Sequence, residues 1–299
     1  MKLLVAGGDP VDAGKTTFAV GLAARLRADG SRLSVFKPRA GNDRWFDHDD
    51  VRRPAGDGRL YGKDIDRLLR AAGSDASHEQ RNPIHRLWRP TPDETGLLGE
   101  SGRTFLVDRV RSADGDEWVV NGTTELPDRL RDDLPLAGAR RVDSIRAFND
   151  AMRDLHLPAL DRLADDVRAA GESGVAIVES YGDVAMPLRG IDFDAVAVVD
   201  PGRCRVYGGG RWVIARETTT GDRDEGTLEV HVDRVTGMLD PLSTHDLRRC
   251  WANHLLVEEN VSPRIVMALG GWSSYDAIEP YLAAPTEENI ISSMMTVTL

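Results

Sequence analysis

The sequence VAGGDPVDAGKTT, residues 5–17, lies between a short apolar segment and a segment with helical periodicity. Before it, Leu3–Val5 predicts a buried parallel strand, and after it Phe18, Leu22 and Leu26 recur at the spacing of one helix face. Glycines at a strand-to-helix turn, followed by Lys-Thr-Thr, are typical of a phosphate-binding loop. A glycine-rich turn with a surface lysine is the alternative, and the flanking strand and helix argue against it.

The residue types of this loop suit a nucleoside triphosphate. Gly14 lets the backbone approach a phosphate oxygen, and the amides of Gly14 to Thr17 are unpaired donors at a helix N-terminus, where the macrodipole favours negative charge. Lys15 adds a mobile positive charge, and the Thr16 hydroxyl is placed to bind Mg2+ that bridges the phosphates. We therefore predict ATP and Mg2+ as cofactors and leave the choice between ATP and GTP open. The predicted nucleotide-binding residues are Asp12, Ala13, Gly14, Lys15, Thr16 and Thr17.

The spacing of the glycines indicates a particular branch of phosphate-loop proteins. Gly8 precedes Gly14 by six positions, one more than in the common loop. This longer loop resembles that of dethiobiotin synthetase and of the related nucleotide domain of cobyrinic acid a,c-diamide synthase. Val35–Pro38 resembles the Lys-Pro segment that closes the second strand in that family, and Asn82–Ile84 resembles its Asn-Pro segment. Val175–Leu188 resembles its strand, glutamate, glycine-rich loop and Pro-Leu.

The resemblance implies an α/β fold with a P-loop NTPase-type parallel sheet and helices on both faces. It also implies that Asp64, in the first turn of a helix predicted over 60–72, lies near the metal; an Asp that complements the helix dipole is an equal alternative.

Two further side chains follow predicted strands at the edge where open α/β sheets bind ligands. Glu179 ends a run of buried apolar residues, which predicts that it holds Mg2+ or its water together with Thr16. Lys37 is the predicted catalytic cation, placed to neutralise charge on a transferring phosphoryl or carbamate group. An ordinary strand-end acid and a surface lysine are the alternatives for these two residues.

The rest of the pattern predicts further elements and one departure from that family. Phe105–Val120 predicts an inserted hairpin, so the family's substrate is not carried over and the small-molecule acceptor stays unidentified. Residues 41–58 predict a long loop, in which the acidic run after Trp45 is either solvated or close to the metal. The other predictions are a helical region over 142–170 broken at Pro158, strands over 174–179 and 194–200, β-like alternation over 204–216 and a helix over 224–239.

The amino-acid composition limits the classes of protein to which this chain can belong. The 299 residues are 41% hydrophobic, without an apolar run long enough for a membrane span and without an N-terminal signal, so we expect a cytoplasmic protein with no membrane partner. There are 34 Asp and 15 Glu against 34 Arg and 4 Lys, for a net charge of -11. This balance suits the high-salt cytoplasm of a halophilic archaeon and gives no basic stripe for duplex DNA. Cys204 and Cys250 are isolated, which supports neither a disulfide nor a zinc site.

Beyond Pro241 the sequence changes character. His245, Arg248, Trp272 and Tyr281 follow one another at spacings of 3, 24 and 9 residues. This order and spacing resemble the end of the catalytic domain of tyrosine recombinases, the phage-type integrases. The resemblance implies a small all-α C-terminal segment.

The same resemblance assigns a role to each of these four residues. Arg248 would clamp a DNA phosphate, His245 would exchange a proton near neutral pH, and Trp272 would assist. Tyr281 would attack phosphorus and form a covalent phosphotyrosine. A helix-capping histidine and two core aromatic residues are the alternative.

The recombinase-like part is incomplete. It covers about residues 242–290, while the family's catalytic domain supplies an earlier Arg and a Lys from a segment that has no counterpart here. We therefore predict a P-loop ATPase domain over 1–240 and a recombinase-like fragment over 241–299 that does not cleave DNA alone. DNA recombination or integration through the fragment is the alternative function, and a regulatory ATP switch is a third. DNA is then a further partner, and a homodimer is kept open.

Overall fold

The computed structural model describes residues 1–9, 13–220, 230–259, 261–272 and 274–278, and the backbone alone for Thr220, His245, Arg249, Val257, Glu258, Asp276 and Ala277. The chain divides into two compact units, Met1–Asp240 and Pro241–Leu299. The described strands are β1 (Lys2–Gly7), β2 (Leu33–Phe36), β3 (Arg39–Asp43), β4 (Ile84–Thr95), β5 (Ser101–Arg111), β6 (Asp116–Asn121), β7 (Arg140–Val142), β8 (Val175–Glu179), β9 (Ala195–Asp200) and β10 (Arg203–Gly208). The described α-helices are α1 (Lys15–Ala28), α2 (His48–Ala55), α3 (Lys63–Ala72), α4 (His78–Arg81), α5 (Asp128–Asp133), α6 (Ile145–Ala151), α7 (Leu157–Ser173), α8 (Gly209–Thr220), α9 (Val232–Thr236), α10 (Thr244–Asn253), α11 (Pro263–Gly270) and α12 (Tyr275–Ile278). Met152–His156 and His254–Glu258 are short π-helices.

The first sheet has helices on both of its faces. Its strand order is β10-β9-β1-β8-β2, and every neighbouring pair is parallel except β9 with β10. Leu4 and Ala6 of β1 pack on the side of α7, whereas Val5 packs on the side of α1 and α3. Because both faces are covered, β8 is apolar from Val175 until it ends at Glu179.

A second five-stranded sheet lies in the same unit, in the order β3-β4-β5-β6-β7. The outer pairs are parallel and the pairs that involve β5 are antiparallel. The hairpin predicted over 105–120 is confirmed as β5 and β6, but these strands form the middle of the second sheet. Leu87 and Leu106 belong to one hydrophobic cluster of this sheet, and Trp88 and Phe105 belong to another.

The α/β class is therefore confirmed, while the expectation of one parallel sheet is wrong, because both sheets are mixed. The loop predicted over 41–58 is also wrong, since this segment contains the end of β3 and the whole of α2. Arg39–Asp43 has no β-branched residue and is extended because it pairs with Ile84–Trp88. The acidic run that follows Trp45 lies at the surface. Trp45 itself is exposed, and Asp50 forms an ion pair with Lys63.

Two further boundaries differ from the prediction. The alternation over 204–216 stops at Gly208, and α8 begins at the next residue. The break predicted at Pro158 is wrong, because α6, the π-helix and α7 follow one another without a non-helical residue from Ile145 to Ser173. Pro158 lies in the first turn of α7, just after the π-helix. Of the helix predicted over 224–239, residues 224–229 lie outside the described part, and α9 covers Val232–Thr236. The helix over 60–72 and the strands over 174–179 and 194–200 are confirmed.

The second unit has a small hydrophobic core. Ala252, Val266 and Ile278, which lie on α10, α11 and α12, are fully buried there. Across both units, none of the described helices combines the length and hydrophobicity that crossing a membrane requires.

A buried ionic network crosses the second sheet. Arg86 donates two hydrogen bonds to the carboxylate of Asp108, at 2.7 and 2.6 Å, and His156 Nε2 lies 2.8 Å from the same carboxylate. Burial opposes the charge of Asp108, but Arg86 and His156 outweigh it and hold its pKa below the usual range. The network joins β4 and β5 to the π-helix before α7.

We expect Asp108→Asn to destabilise the chain by about 3 to 5 kcal/mol, because it removes the buried charge that offsets Arg86. Asp165→Asn is the matched control, since it removes the same group from an exposed pair with Arg168 and is worth at most about 1 kcal/mol. Urea unfolding of the two variants measures the difference. Equal midpoints for both would contradict a stabilising role for the network.

The burial of His85 predicts that the folded state loses stability in acid. It is fully buried, and burial together with the charges of Arg109 and Lys37 lowers its pKa to about 3. Below pH 6.5, the ordinary pKa of histidine, the unfolded state binds a proton that the folded state does not, so stability falls as pH falls. We expect this histidine to contribute a loss of about 1 kcal/mol per pH unit between pH 6 and pH 5, where only a minor fraction of the carboxylates is protonated. Urea unfolding of His85→Asn across this range should show a flatter slope, and an unchanged slope would assign the sensitivity to another group.

Candidate functional site

The predicted phosphate loop connects β1 to α1. Gly14 precedes α1 with a φ of 84°, in the left-handed region that favours glycine, so a side chain there would strain the turn. Ala13 is buried and Thr17 is exposed, whereas Asp12 lies outside the described residues. The first amides of α1 have no partner within the helix, which is the arrangement that an anion requires.

The Lys15 side chain lies over the beginning of the loop. A Cβ added at Gly7 would lie 2.7 Å from Lys15 Nζ, 2.7 Å from the carbonyl oxygen of Asp9 and 3.0 Å from that of Gly182. Position 7 therefore accommodates glycine and nothing larger without a shift of these groups. Burial lowers the pKa of Lys15, and a nearby anion would favour its charged form.

Two carboxylates hold the ammonium group of Lys37. Lys37 Nζ donates to Glu179 Oε1 at 2.6 Å and to Asp64 Oδ2 at 2.9 Å. The contact follows from the fold, because β2 and β8 are parallel neighbours and their carboxyl ends meet at one edge. Asp64 reaches the same edge from the first turn of α3.

Lys37 and Asp64 stabilise each other in their ionised forms. Burial alone would lower the pKa of Lys37, but the charges of Glu179 and Asp64 and their hydrogen bonds outweigh it and raise the pKa. Burial likewise opposes the ionised form of Asp64, and Lys37 outweighs it, so the pKa of Asp64 is lowered. The edge of the sheet therefore carries a fixed ammonium group at neutral pH.

Thr16 completes this cluster. Its hydroxyl donates to Glu179 Oε1 at 2.7 Å and also favours the ionised form of Asp64 by hydrogen bonding. Glu179 Oε2 is buried and has no hydrogen-bond partner in the described part of the chain. A hydroxyl and two carboxylates are a donor set that suits Mg2+, which takes one or two carboxylates and completes its shell with phosphates and water. No cluster of three or more His, Cys, Asp or Glu side chains suited to a metal occurs among the residues described.

Sequence reasoning missed a second ion pair at this edge. Asp200 ends β9, and its Oδ1 would lie 1.8 Å from a Cβ added at Gly8, so the carboxylate packs against the loop itself. Arg205 on β10 donates to both oxygens of Asp200, at 3.4 and 3.1 Å. The sequence did carry a signal for this acidic residue, because Asp200 ends an apolar run in the same way as Glu179.

In the second unit, the structure brings together two of the residues predicted for DNA chemistry. The guanidinium carbon of Arg248 lies 4.2 Å from the ring centroid of Trp272, and Arg248 Nη2 donates to the carbonyl oxygen of Gly270. His245 lies one turn earlier in the backbone of α10. Tyr281 lies outside the described residues.

No family model and no curated protein matches this chain. The resemblances to dethiobiotin synthetase and to tyrosine recombinases therefore stay predictions. Any function assigned to the chain rests on the residues and geometry described above.

Proposed function

We propose that residues 1–240 form a Mg2+-dependent P-loop ATPase, similar to dethiobiotin synthetase, that transfers or hydrolyses the terminal phosphoryl group of ATP. One observation carries the proposal: the ammonium group of Lys37 is fixed between Glu179 and Asp64, at the sheet edge that also carries Lys15. Such a group is a preorganised positive charge beside a predicted phosphate site.

In this mechanism the loop binds the phosphates through its backbone. The amides from Gly14 to Thr17 donate to phosphate oxygens at the start of α1, and Lys15 neutralises the outer phosphates. The lowered pKa of Lys15 supports this role, because an ammonium group that is buried without full compensation gains stability from an anion.

The Thr16 hydroxyl and the Glu179 carboxylate would hold Mg2+, with Asp64 directly or through water. When bound, the metal neutralises phosphate charge and orients the terminal phosphate. The buried Glu179 Oε2 supports this assignment, since a carboxylate oxygen without a partner in the described residues has a free lone pair to offer.

Lys37 then acts on the transferring group. Its ammonium group donates hydrogen bonds to the oxygens on which charge accumulates as the bond to the leaving phosphate breaks. Glu179 and Asp64 keep the group charged and in place before the nucleotide arrives. The acceptor, a small molecule or water, the assembly and the cytoplasmic location stay predictions.

The four lysines of the chain allow a sharp test of this division of roles. We expect Lys15→Ala to weaken binding of MgATP by about 10- to 100-fold, because a charged hydrogen-bond donor to phosphate is lost. Lys37→Ala should keep most of the binding and lower kcat for basal hydrolysis by about 100- to 1000-fold. Calorimetry and ADP release at high ionic strength measure the two quantities.

Lys63→Ala is the matched control, because Lys63 begins α3 but pairs with Asp50 at the surface. It should leave both quantities unchanged. Absence of any heat with MgATP in the wild-type protein would overturn the ATPase proposal, and equal kcat for Lys37→Ala and Lys63→Ala would overturn the role of Lys37.

A second candidate function is DNA strand exchange through the C-terminal unit, completed by a partner protein. The contact between Arg248 and Trp272 favours it, because it joins two residues that are distant in sequence and predicted for the same site. We expect no covalent trapping of the chain alone on a nicked DNA duplex. Trapping that is lost in Tyr281→Phe would instead rank this function first.

A further inference from the structure

The backbone of Lys37 is held by the end of α4 and the residue that follows it, just before β4. Lys37 follows β2, and its N–H donates to the carbonyl oxygen of Arg81 at 2.8 Å. Its own carbonyl oxygen accepts a hydrogen bond from Asn82 Nδ2 at 2.8 Å. Both polar groups of the Lys37 backbone are therefore bound, one by the last residue of α4 and one by the residue after it.

Asn82 has its complete set of hydrogen bonds within this segment. Besides Lys37, its amide nitrogen donates to the carbonyl oxygen of Ile84 at 3.0 Å, so both amide hydrogens are used. The remaining atom, Asn82 Oδ1, lies 3.3 Å from Nδ1 of His85. The Asn82 side chain is fully buried, so no water competes for these contacts.

This arrangement fixes the tautomer of His85. A carbonyl oxygen accepts hydrogen bonds and cannot donate them, so Nδ1 of His85 must carry the proton. Nε2 is then a bare acceptor, and it has no hydrogen-bond partner among the residues described. His85 Nδ1–H thereby sets the amide orientation of Asn82, because a flipped amide would place two donors against each other.

The peptide that follows Asn82 is clamped as well. The buried Arg109 donates to the carbonyl oxygens of Leu60 at 2.7 Å and of Asn82 and Pro83 at 2.5 and 3.4 Å. The Asn82 side chain therefore projects toward Lys37 from a rigid base.

We propose that Asn82 is a positioning residue for Lys37, oriented in turn by the Nδ1–H of His85, and that it directs the ammonium group to the place between Glu179 and Asp64. Asn82 touches the lysine backbone and not the reacting atoms. The proposal rests on the proposed role of Lys37 in phosphoryl transfer. A displacement of about 1 Å in a group that acts on the transition state costs about 100-fold in rate.

Asn82→Asp tests this, because it keeps the shape and replaces the donating amide with an oxygen that repels the carbonyl of Lys37. We expect kcat for MgATP hydrolysis to fall by about 10- to 100-fold with KM unchanged within about 2-fold. Asn121→Asp is the matched control: Asn121, at the end of β6, is equally buried and donates to the carbonyl oxygen of Phe105 at 2.7 Å, with no contact to Lys37 among its hydrogen bonds in the described residues. It should reduce stability and leave kcat unchanged.

Two substitutions of His85 separate its ring nitrogens. Asparagine places an amide nitrogen where Nδ1 lies, and glutamine places one where Nε2 lies. His85→Asn should therefore keep kcat close to the wild-type value, while His85→Gln should lose it as Asn82→Asp does. The reverse order would overturn the orienting role of Nδ1.

A second measurement does not depend on turnover. With only four lysines, the 13Cε signals of labelled lysine can be assigned by single substitutions. If Asn82 positions Lys37, the 1Hε–13Cε signal of Lys37 at neutral pH should move from its wild-type chemical shift in Asn82→Ala, which adds no charge, and should stay in place in Asn121→Ala. An unchanged Lys37 signal in Asn82→Ala overturns the positioning role even if the protein hydrolyses ATP. A moved signal in a protein without ATPase activity supports positioning and refutes the proposed function alone.

Discussion

The buried carboxylate of Glu179 is the constraint around which the edge of the first sheet is built. A buried carboxylate is unfavourable unless it is paired and hydrogen-bonded, and here Lys37 and Thr16 both donate to the same oxygen. Lys37 in turn donates a second hydrogen bond to Asp64. Three elements that are distant in sequence must therefore meet at one point, and the predicted phosphate loop is fixed to them through Thr16.

This meeting point is also where the chain passes from one sheet to the other. β2 ends at Phe36, β3 begins at Arg39, and only Lys37 and Pro38 lie between them. Pro38 has no backbone donor and cannot extend the ladder of β2, so the chain leaves the first sheet there. There the carbonyl oxygen of Arg81 accepts from the Lys37 backbone and the side-chain amide of Asn82 donates to it, in place of a neighbouring strand. The end of α4 and the residue after it thus supply the partners that the lysine backbone loses when the strand ends.

The sequence predicted the residues whose signal is local. Glu179 and Lys37 each follow an apolar run, and the register of parallel strands then brings them to the same edge. Arg39–Asp43 could not be predicted as a strand, because its residues have no strand preference and only pairing with β4 extends them. The contact of Asn82 with Lys37 spans 45 residues, and the tautomer of His85 depends on that contact, so no periodicity or spacing carries either. The sequence therefore did not predict the contacts that the segment between α4 and β4 makes with Lys37.

The use of lysine at this edge has a physical reason. The chain has 34 Arg and 4 Lys, yet Lys15 and Lys37 both lie here. Where several fixed oxygens must be bound by one side chain, the chain uses the planar guanidinium group of arginine. The buried Arg109 is an example, since it donates to three carbonyl oxygens. An ammonium group is compact and its three donors rotate freely, so it fits between Glu179 and Asp64 and leaves one donor for a further anion. A guanidinium group at position 37 would need more space than the 2.6 and 2.9 Å contacts leave and would direct its donors in a fixed plane. In a composition dominated by arginine, the use of lysine at positions 15 and 37 is thus consistent with a requirement for a compact ammonium group at this edge.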